Sequence, residues 1–271
     1  KLKENLIQDK ELAFLSKTLA RIDINSPLEI TVADTLRKEE NVEELIAFYK
    51  EMSFQSFQKD LLNKKGDQVV QEESTDSLNV QWIDTISEKE LQDATTVHFE
   101  SFDNNYHIAP VLAVAFGTEK QVYVTSIESA VQSEAFKQWL ADETIEKTMF
   151  DTKAMKVFAN RFGLTVAGAK YDVSLLAYLV DANEIVNEIY DVAKRFGISL
   201  LKTDEEVYGK GVKIKVPEEK EVFWNHLAAK IYVLATAPKR LLKQLDENEQ
   251  VQLYWEMELP LSDILARMEI Q

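Results

Sequence analysis

The stretch that most constrains this chain lies between residues 110 and 124. Pro110-Val111-Leu112-Ala113-Val114-Ala115-Phe116 and Gln121-Val122-Tyr123-Val124 are apolar, partly β-branched runs separated by Gly117-Thr118-Glu119-Lys120. Apolar runs this short, bounded by turn residues, read as strands, and the glycine-led gap between them reads as a hairpin turn. Two further strand-like runs come before it, Val80-Gln81-Trp82-Ile83 and Thr96-Val97-His98-Phe99, and Thr148-Met149-Phe150 is a short candidate after it. The periodicity then turns helical over 133–140, 153–162, 171–181 and 187–196, with Gly163 and Gly197 in C-cap positions. A long helical stretch follows over 218–243, where Pro238 is expected to kink or split it. A last helix from about 247 meets Pro260. A mixed sheet followed by helices predicts an α/β or α+β domain of about 170 residues.

Upstream the character changes. Residues 63–78 are polar, with Val69 and Val70 the only apolar pair before Leu78, and read as a linker. Before the linker, Leu6, Ile7, Leu12, Leu15, Leu19 and Ile22 recur at helical spacing, and Pro27 biases Ser26 out of the helical region. A second helical stretch carries Val42, Leu45, Ile46, Phe48, Tyr49 and Met52, with Asn41 as a plausible N-cap and Glu43 and Glu44 favoured by the helix dipole. A third, short one holds Phe54, Phe57, Leu61 and Leu62. These three predict a small all-helical unit over 1–62, ahead of the linker.

Composition closes off several classes. The chain has 271 residues, 45% of them hydrophobic, enough for a substantial core. It has no cysteine, so disulfides and thiolate metal sites are excluded. No apolar run approaches the roughly 20 residues that span a bilayer. The start, Lys1-Leu2-Lys3-Glu4, has neither an initiator Met nor a signal-peptide core and reads as a cut inside a longer protein. The formal net charge is −16, from 31 basic and 47 acidic residues. Phosphate binding rests on Lys and Arg replacing counterions, so a surface this acidic repels nucleic acid on average. The charge predicts a soluble, cytoplasmic, monomeric protein.

Few residues invite chemistry. His98, His107 and His226 are the only histidines, and no pair sits at helical i, i+4 spacing, so each reads as structural or exposed. Gly209-Lys210-Gly211 lacks the glycine spacing and the following Ser or Thr of a phosphate loop, and reads as a turn. Acidic pairs such as Glu39-Glu40 and Glu43-Glu44 read as solvated helix faces. A two-metal nuclease would need carboxylates converging from separate elements around two cations about 3.5–4 Å apart.

Specific resemblances then appear at both ends. Leu12-Ala13-Phe14-Leu15-Ser16-Lys17-Thr18-Leu19-Ala20-Arg21-Ile22, with Ser26-Pro27-Leu28-Glu29, resembles the end of the 5′-nuclease domain of bacterial DNA polymerase I. Met257-Glu258-Leu259-Pro260-Leu261-Ser262-Asp263-Ile264-Leu265-Ala266-Arg267-Met268-Glu269 resembles the helix that opens its polymerase domain. Asn105-Tyr106-His107, Trp139-Leu140-Ala141-Asp142-Glu143-Thr144 and Tyr208-Gly209-Lys210-Gly211-Val212-Lys213 are similar to members from low-GC Gram-positive bacteria. The resemblance implies an α/β, ribonuclease H-like 3′–5′ exonuclease fold preceded by a small helical unit. It also implies domain limits of 1–62, a linker at 63–78, an exonuclease-like domain over 79–247 and the first polymerase helix over 248–271.

Active members of that exonuclease family carry Asp-x-Glu on the first core strand, a second Asp on a central helix and Tyr-x-x-x-Asp on a late helix. Here the first pair falls on His98-Phe99-Glu100, the central Asp on Met155, and the last motif on Leu227-Ala228-Ala229-Lys230-Ile231, so Leu227 and Ile231 stand for Tyr and Asp. A shift of one residue would put Lys230 at the last position. Glu100 alone holds no dication pair at useful affinity, since carboxylate number sets hard-cation binding. The resemblance therefore implies a vestigial site with no catalytic residue, no metal and no cofactor, in a parent polymerase that uses Mg²⁺. That parent would act on DNA in gap filling and primer removal, with this segment packed against its polymerase and 5′-nuclease domains. One alternative is an active exonuclease whose site is rebuilt from Glu100, Asp103, Asp151 or Asp172. Another is a module that grips a frayed single strand without cutting it, which the acidic balance disfavours.

Overall fold

The computed structural model describes residues 9–23, 41–52, 78–103 and 105–271, together with residues 3, 7, 27, 35, 36 and 61. Two compact units are distinguished, Lys1–Val69 and Val70–Gln271. In the first, α1 (Lys10–Leu19) and α2 (Val42–Glu51) coincide with two of the three helical stretches read from periodicity. Asn41 caps α2 through its Oδ1, which accepts from Glu44 N at 3.4 Å. The third stretch (Leu61 apart) and the linker at 63–78 (Leu78 apart) lie outside the described residues.

The second unit is built on a six-stranded sheet in the order β1-β4-β3-β2-β5-β6. The strands are β1 (Asn79–Trp82), β2 (Thr96–Glu100), β3 (Ala113–Gly117), β4 (Gln121–Thr125), β5 (Lys147–Met149) and β6 (Ala169–Asp172). The expected hairpin is present: β3 and β4 pair antiparallel with Gly117 opposite Val122, and Gly117 takes a φ of 148°. A Cβ there would stand 2.1 Å from the Gln121 carbonyl oxygen, so only glycine fits the turn. β2 joins antiparallel to β3, whereas β1, β5 and β6 add in parallel.

Around the sheet lie α3 (Glu88–Leu91), α4 (Ile127–Gln132), α5 (Glu134–Ala141), α6 (Thr152–Asn160), α7 (Val173–Val180), α8 (Ile189–Arg195), α9 (Asp204–Tyr208) and α10 (Lys220–Glu247). The chain closes with α11 (Val251–Leu253), a π-turn over Tyr254–Glu258 and α12 (Leu259–Ile270). Side chains of a strand alternate between its two faces. Val97, Phe99, Val114 and Phe116 therefore pack to one side, with Phe136, Leu140 and Phe158 of α5 and α6. Ala113, Ala115, Val122 and Val124 pack to the other, against Phe223, Leu227, Ala228 and Ile231 of α10. A second helical core gathers α7, α8, the later half of α10 and Tyr254.

Two local readings need correction. Pro238 does not split α10, which runs unbroken for 28 residues. A proline removes one backbone donor, and the buried neighbours Ala237 and Leu241 hold the turn together from outside. Pro260, which the last helix was expected to meet, sits in the first turn of α12. Tyr171 and Asp172 belong to β6 rather than to the following helix, which begins at Val173.

Candidate functional site

The alternation that sends Val97 and Phe99 toward α6 turns His98 and Glu100 the opposite way, toward α10. There Glu100 meets Lys230, whose Nζ donates to Glu100 Oε1 at 2.8 Å and Oε2 at 2.9 Å. The same ammonium lies 2.7 Å from Asp204 Oδ1, at the first residue of α9. Asp204 Oδ1 is also 2.7 Å from His226 Nε2, one turn before Lys230 on α10. His98 Nε2 completes the chain, 3.0 Å from Glu100 Oε2. Glu100, Lys230, His98 and His226 are all buried.

Burial opposes every charge in this cluster, so the shifts report which opposition wins. Burial works to raise the Glu100 carboxyl, yet the Lys230 ammonium and the His98 hydrogen bond hold it well below the usual carboxylate range. Burial likewise disfavours a charged Lys230, but Glu100 and Asp204 more than offset it and raise its pKa. Asp204, against its own burial, is lowered by His226 and Lys230. Glu100 is therefore an ionised acceptor, and His98 Nε2 must carry the proton between them. Apart from its two imidazoles the cluster holds two carboxylates and one ammonium.

The cluster floors a cavity of about 300 Å³ that His98, Glu100 and Met155 all line. Leu227 and Ile231 do not reach it. Both lie in the seam between α10 and the sheet, fully buried against Ala113 and Val124. On the late helix it is the residues one position earlier that face the polar cluster, His226 through Asp204 and Lys230 through Glu100 and Asp204. The physical reason is the i, i+4 stripe. The apolar pair 227/231 takes the sheet, and the neighbouring pair 226/230 turns to the polar side.

Asp103 and Asp151 also line the cavity, with Glu188 and Asp204. Asp151 is held at φ 51°, and its Oδ1 accepts from Ala154 N at 3.0 Å, capping α6. Asp172 is not among the lining residues. It is 3% exposed, its Oδ1 accepts from Leu175 N at 3.0 Å and its Oδ2 from Thr152 N at 2.7 Å, so one carboxylate caps both α7 and α6. Burial, with the nearby Asp151 charge, pushes its pKa up to about 6. His107 lies elsewhere, exposed, with Nε2 3.3 Å from Glu269. Gly209 and Gly211 take φ of 87° and 60°, as the turn reading requires.

A cation pair of the kind an exonuclease fold implies does not fit these residues. Among the described residues no three His, Cys, Asp or Glu side chains are disposed to hold a metal ion. The point between Glu100 and Asp204, where a cation would be drawn, is taken by the Lys230 ammonium. The role of Asp204 was not read from the sequence. It opens the acidic run Asp204-Glu205-Glu206, and nothing in that run distinguishes it from a solvated helix face.

Residues 97–236 match the family model described as DNA polymerase I, ribonuclease H-like domain. The whole chain is 39% identical over 270 residues to DNA polymerase I of Streptococcus pneumoniae strain R6, and 99% of it is 36% identical to that of Geobacillus stearothermophilus. It spans only 30% of the length of either relative. Among solved structures, Brucella melitensis NrnC bound to pGG superposes with a TM-score of 0.55 at 13% identity, covering 71% of this chain and 92% of that one. Escherichia coli RNase D, an exoribonuclease involved in structured RNA processing, superposes with a TM-score of 0.54 at 14% identity, covering 72% of this chain and 51% of its own. At these identities the likeness is one of fold: a ribonuclease H-like mixed sheet with flanking helices.

Proposed function

Because this chain belongs to the family of the DNA polymerase I ribonuclease H-like domain, we propose that it is a non-cleaving exonuclease-like domain within a DNA polymerase I that acts in replication and repair. The observation that carries the reading is the Lys230 ammonium, bound by both oxygens of Glu100 and by Asp204. A fixed ammonium cannot activate water or bridge a leaving oxygen as a metal ion does. The cavity above it sets five carboxylates against that one ammonium. Such a cleft repels a phosphodiester unless dications neutralise it, and Met155 and Lys230 supply no ligand for them.

The role left is architectural. The domain spaces a 5′-nuclease from a polymerase, with limits at 1–62, 63–78, 79–247 and 248–271, in a monomeric cytoplasmic enzyme whose Mg²⁺ and DNA are bound outside this segment. A core that buries α10 against the sheet cannot be deleted without exposing the apolar faces of its partners, which is reason enough for a silent fold to persist. No helix among the described residues is long and apolar enough to cross a membrane.

Calorimetric titration with Mg²⁺ and Mn²⁺, alongside degradation of single-stranded DNA, tests the reading. No saturable heat and no metal-dependent cleavage are expected. Cleavage abolished by Glu100→Ala would overturn it in favour of an exonuclease site rebuilt from Glu100, Asp103 and Asp151.

A further inference from the structure

One wall of the cavity is formed by the segment that leaves β2, through Ser101, Asp103 and Tyr106. The segment is packed only in part: Ala109 is buried and Phe102 and Tyr106 are half-buried against the core, while Asp103, Asn105 and His107 are exposed and Ile108 is 71% exposed. Segments with few buried apolar contacts open at low free energy, so polar ties decide where such a segment rests.

The ties converge on Tyr106. Its hydroxyl donates to Glu269 Oε2 of α12 at 2.8 Å and accepts from Lys153 Nζ of α6 at 2.6 Å. Lys153 donates in turn to Glu269 Oε1 at 2.8 Å, and His107 Nε2 stands 3.3 Å from Glu269 Oε2. Arg161 Nη1 donates to the main-chain oxygens of Tyr106 and Ala109, at 2.9 and 2.8 Å. Of these ties, only the Glu269 contacts come from α12. A separate ion pair, Lys156 with Asp263, joins α6 to α12 without touching the segment.

We infer that Glu269 is a positioning residue, a latch by which α12 holds residues 101–103 and 105–110 as the wall of the cavity, so that displacement of α12 releases that wall. Glu269 binds the hydroxyl of a side chain that lines the cavity and the ammonium that supports it. Losing the carboxylate removes three contacts to this segment and its support at once. Nothing in this coupling needs a metal or a cleavable strand, and it holds whether or not the cleft is catalytically silent.

The chain contains no cysteine, so Ser101→Cys provides a single thiol on the wall whose modification rate reports opening. In that background Glu269→Ala is expected to raise the rate on the order of tenfold, the loss of about 1.4 kcal/mol from the closed state. Glu269→Gln, which keeps an acceptor for Tyr106 but loses the charge facing Lys153, should fall between. Asp263→Asn, which weakens the other α6–α12 contact, should leave the rate unchanged. Hydrogen exchange should quicken in 101–103 and 105–110 and not in β2–β4. Should Glu269→Ala fail to fold, Tyr106→Phe removes the hydroxyl alone and should give the same increase. An unchanged rate in the folded variants overturns the latch. So does an equal rise in Asp263→Asn, which would mean that α12 loosens as a whole.

Discussion

Asp172 offers the most exacting test of how the fold is held around the cleft, because it was a candidate metal carboxylate and the structure makes it a double cap. Asp172→Ala removes the acceptors of Thr152 N and Leu175 N, so two helices lose a buried N-terminal bond. A lost cap costs about 0.5–2 kcal/mol, and a buried donor left unmade about 1–3. Together the loss should be roughly 2–4 kcal/mol where the carboxyl carries no ionisation cost. That condition depends on pH. The folded pKa is raised to about 6 by burial and by Asp151. The unfolded value is about 3.9. A raised folded pKa stabilises below the unfolded value, and that benefit is lost as pH climbs through the folded one. The difference corresponds to about 3 kcal/mol of cost on the natural chain above pH 6. The deficit of Asp172→Ala should therefore be largest below about pH 4 and shrink by about 3 kcal/mol by pH 8, with about half of that change complete at pH 5. For a unit of this size the low-pH deficit appears as a melting-point drop of roughly 5–15 °C. Thermal unfolding of both proteins across that range gives the answer. A deficit that is constant, or that grows toward pH 8, would show that the ionised carboxylate is the stabilising cap.

Two further predictions concern buried lysines. Lys147 is fully buried and donates to the carbonyl oxygens of Asp142, Ile145 and Ala167 at 2.8, 2.9 and 3.0 Å. Lys147→Met fills similar space but strands three acceptors, so urea unfolding should report a loss of about 3–5 kcal/mol, and a loss under about 1 would refute the role. Lys230→Met leaves Glu100 and Asp204 facing each other uncompensated and should cost about 3–5 kcal/mol at pH 7, while Lys230→Met combined with Glu100→Gln should recover most of it. Because the folded Glu100 pKa is depressed, its contribution is present above about pH 4 and fades as the pH falls further, so the deficit of the single variant should narrow on acidification. A double variant no more stable than the single one would break this account.

Where the sequence carried short apolar runs between turn residues, the sheet could be read, and β2, β3 and β4 fall within a few residues of the expected runs. β6 could not, because Ala169-Lys170-Tyr171-Asp172 is four residues with no β-branched or strongly apolar run, and its pairing with β5 comes from tertiary context. The short α9 was missed for a similar reason: Asp204-Glu205-Glu206 looks like solvent-facing charge, and only the fold shows that its first carboxylate turns inward. Within the site, His98, Glu100 and Met155 came from a family resemblance, and they line one cavity. Leu227 and Ile231 came from the same resemblance but pack against the sheet, one residue from His226 and Lys230, since spacing along a helix fixes which residues share a face but not which face meets the sheet.

That one-residue difference changes what the site is. An isoleucine opposite Glu100 would leave a buried carboxylate with no counter-charge, a costly arrangement that a metal ion or a proton would relieve. A lysine there makes the carboxylate self-sufficient, and Asp204 and His226 extend the pairing until every charged member has a partner. Such a cluster adds little net stability over an apolar core, because the desolvation of its charges offsets most of their attraction. Taking it apart is another matter. Removing Lys230 strands two carboxylates, one of them fully buried, whereas removing Glu100 or Asp204 alone leaves the ammonium its other partner, so the single substitution at Lys230 is the strongly disfavoured one. Folding is therefore sufficient reason for Lys230 to stay with its two carboxylates, whatever chemistry the cleft does.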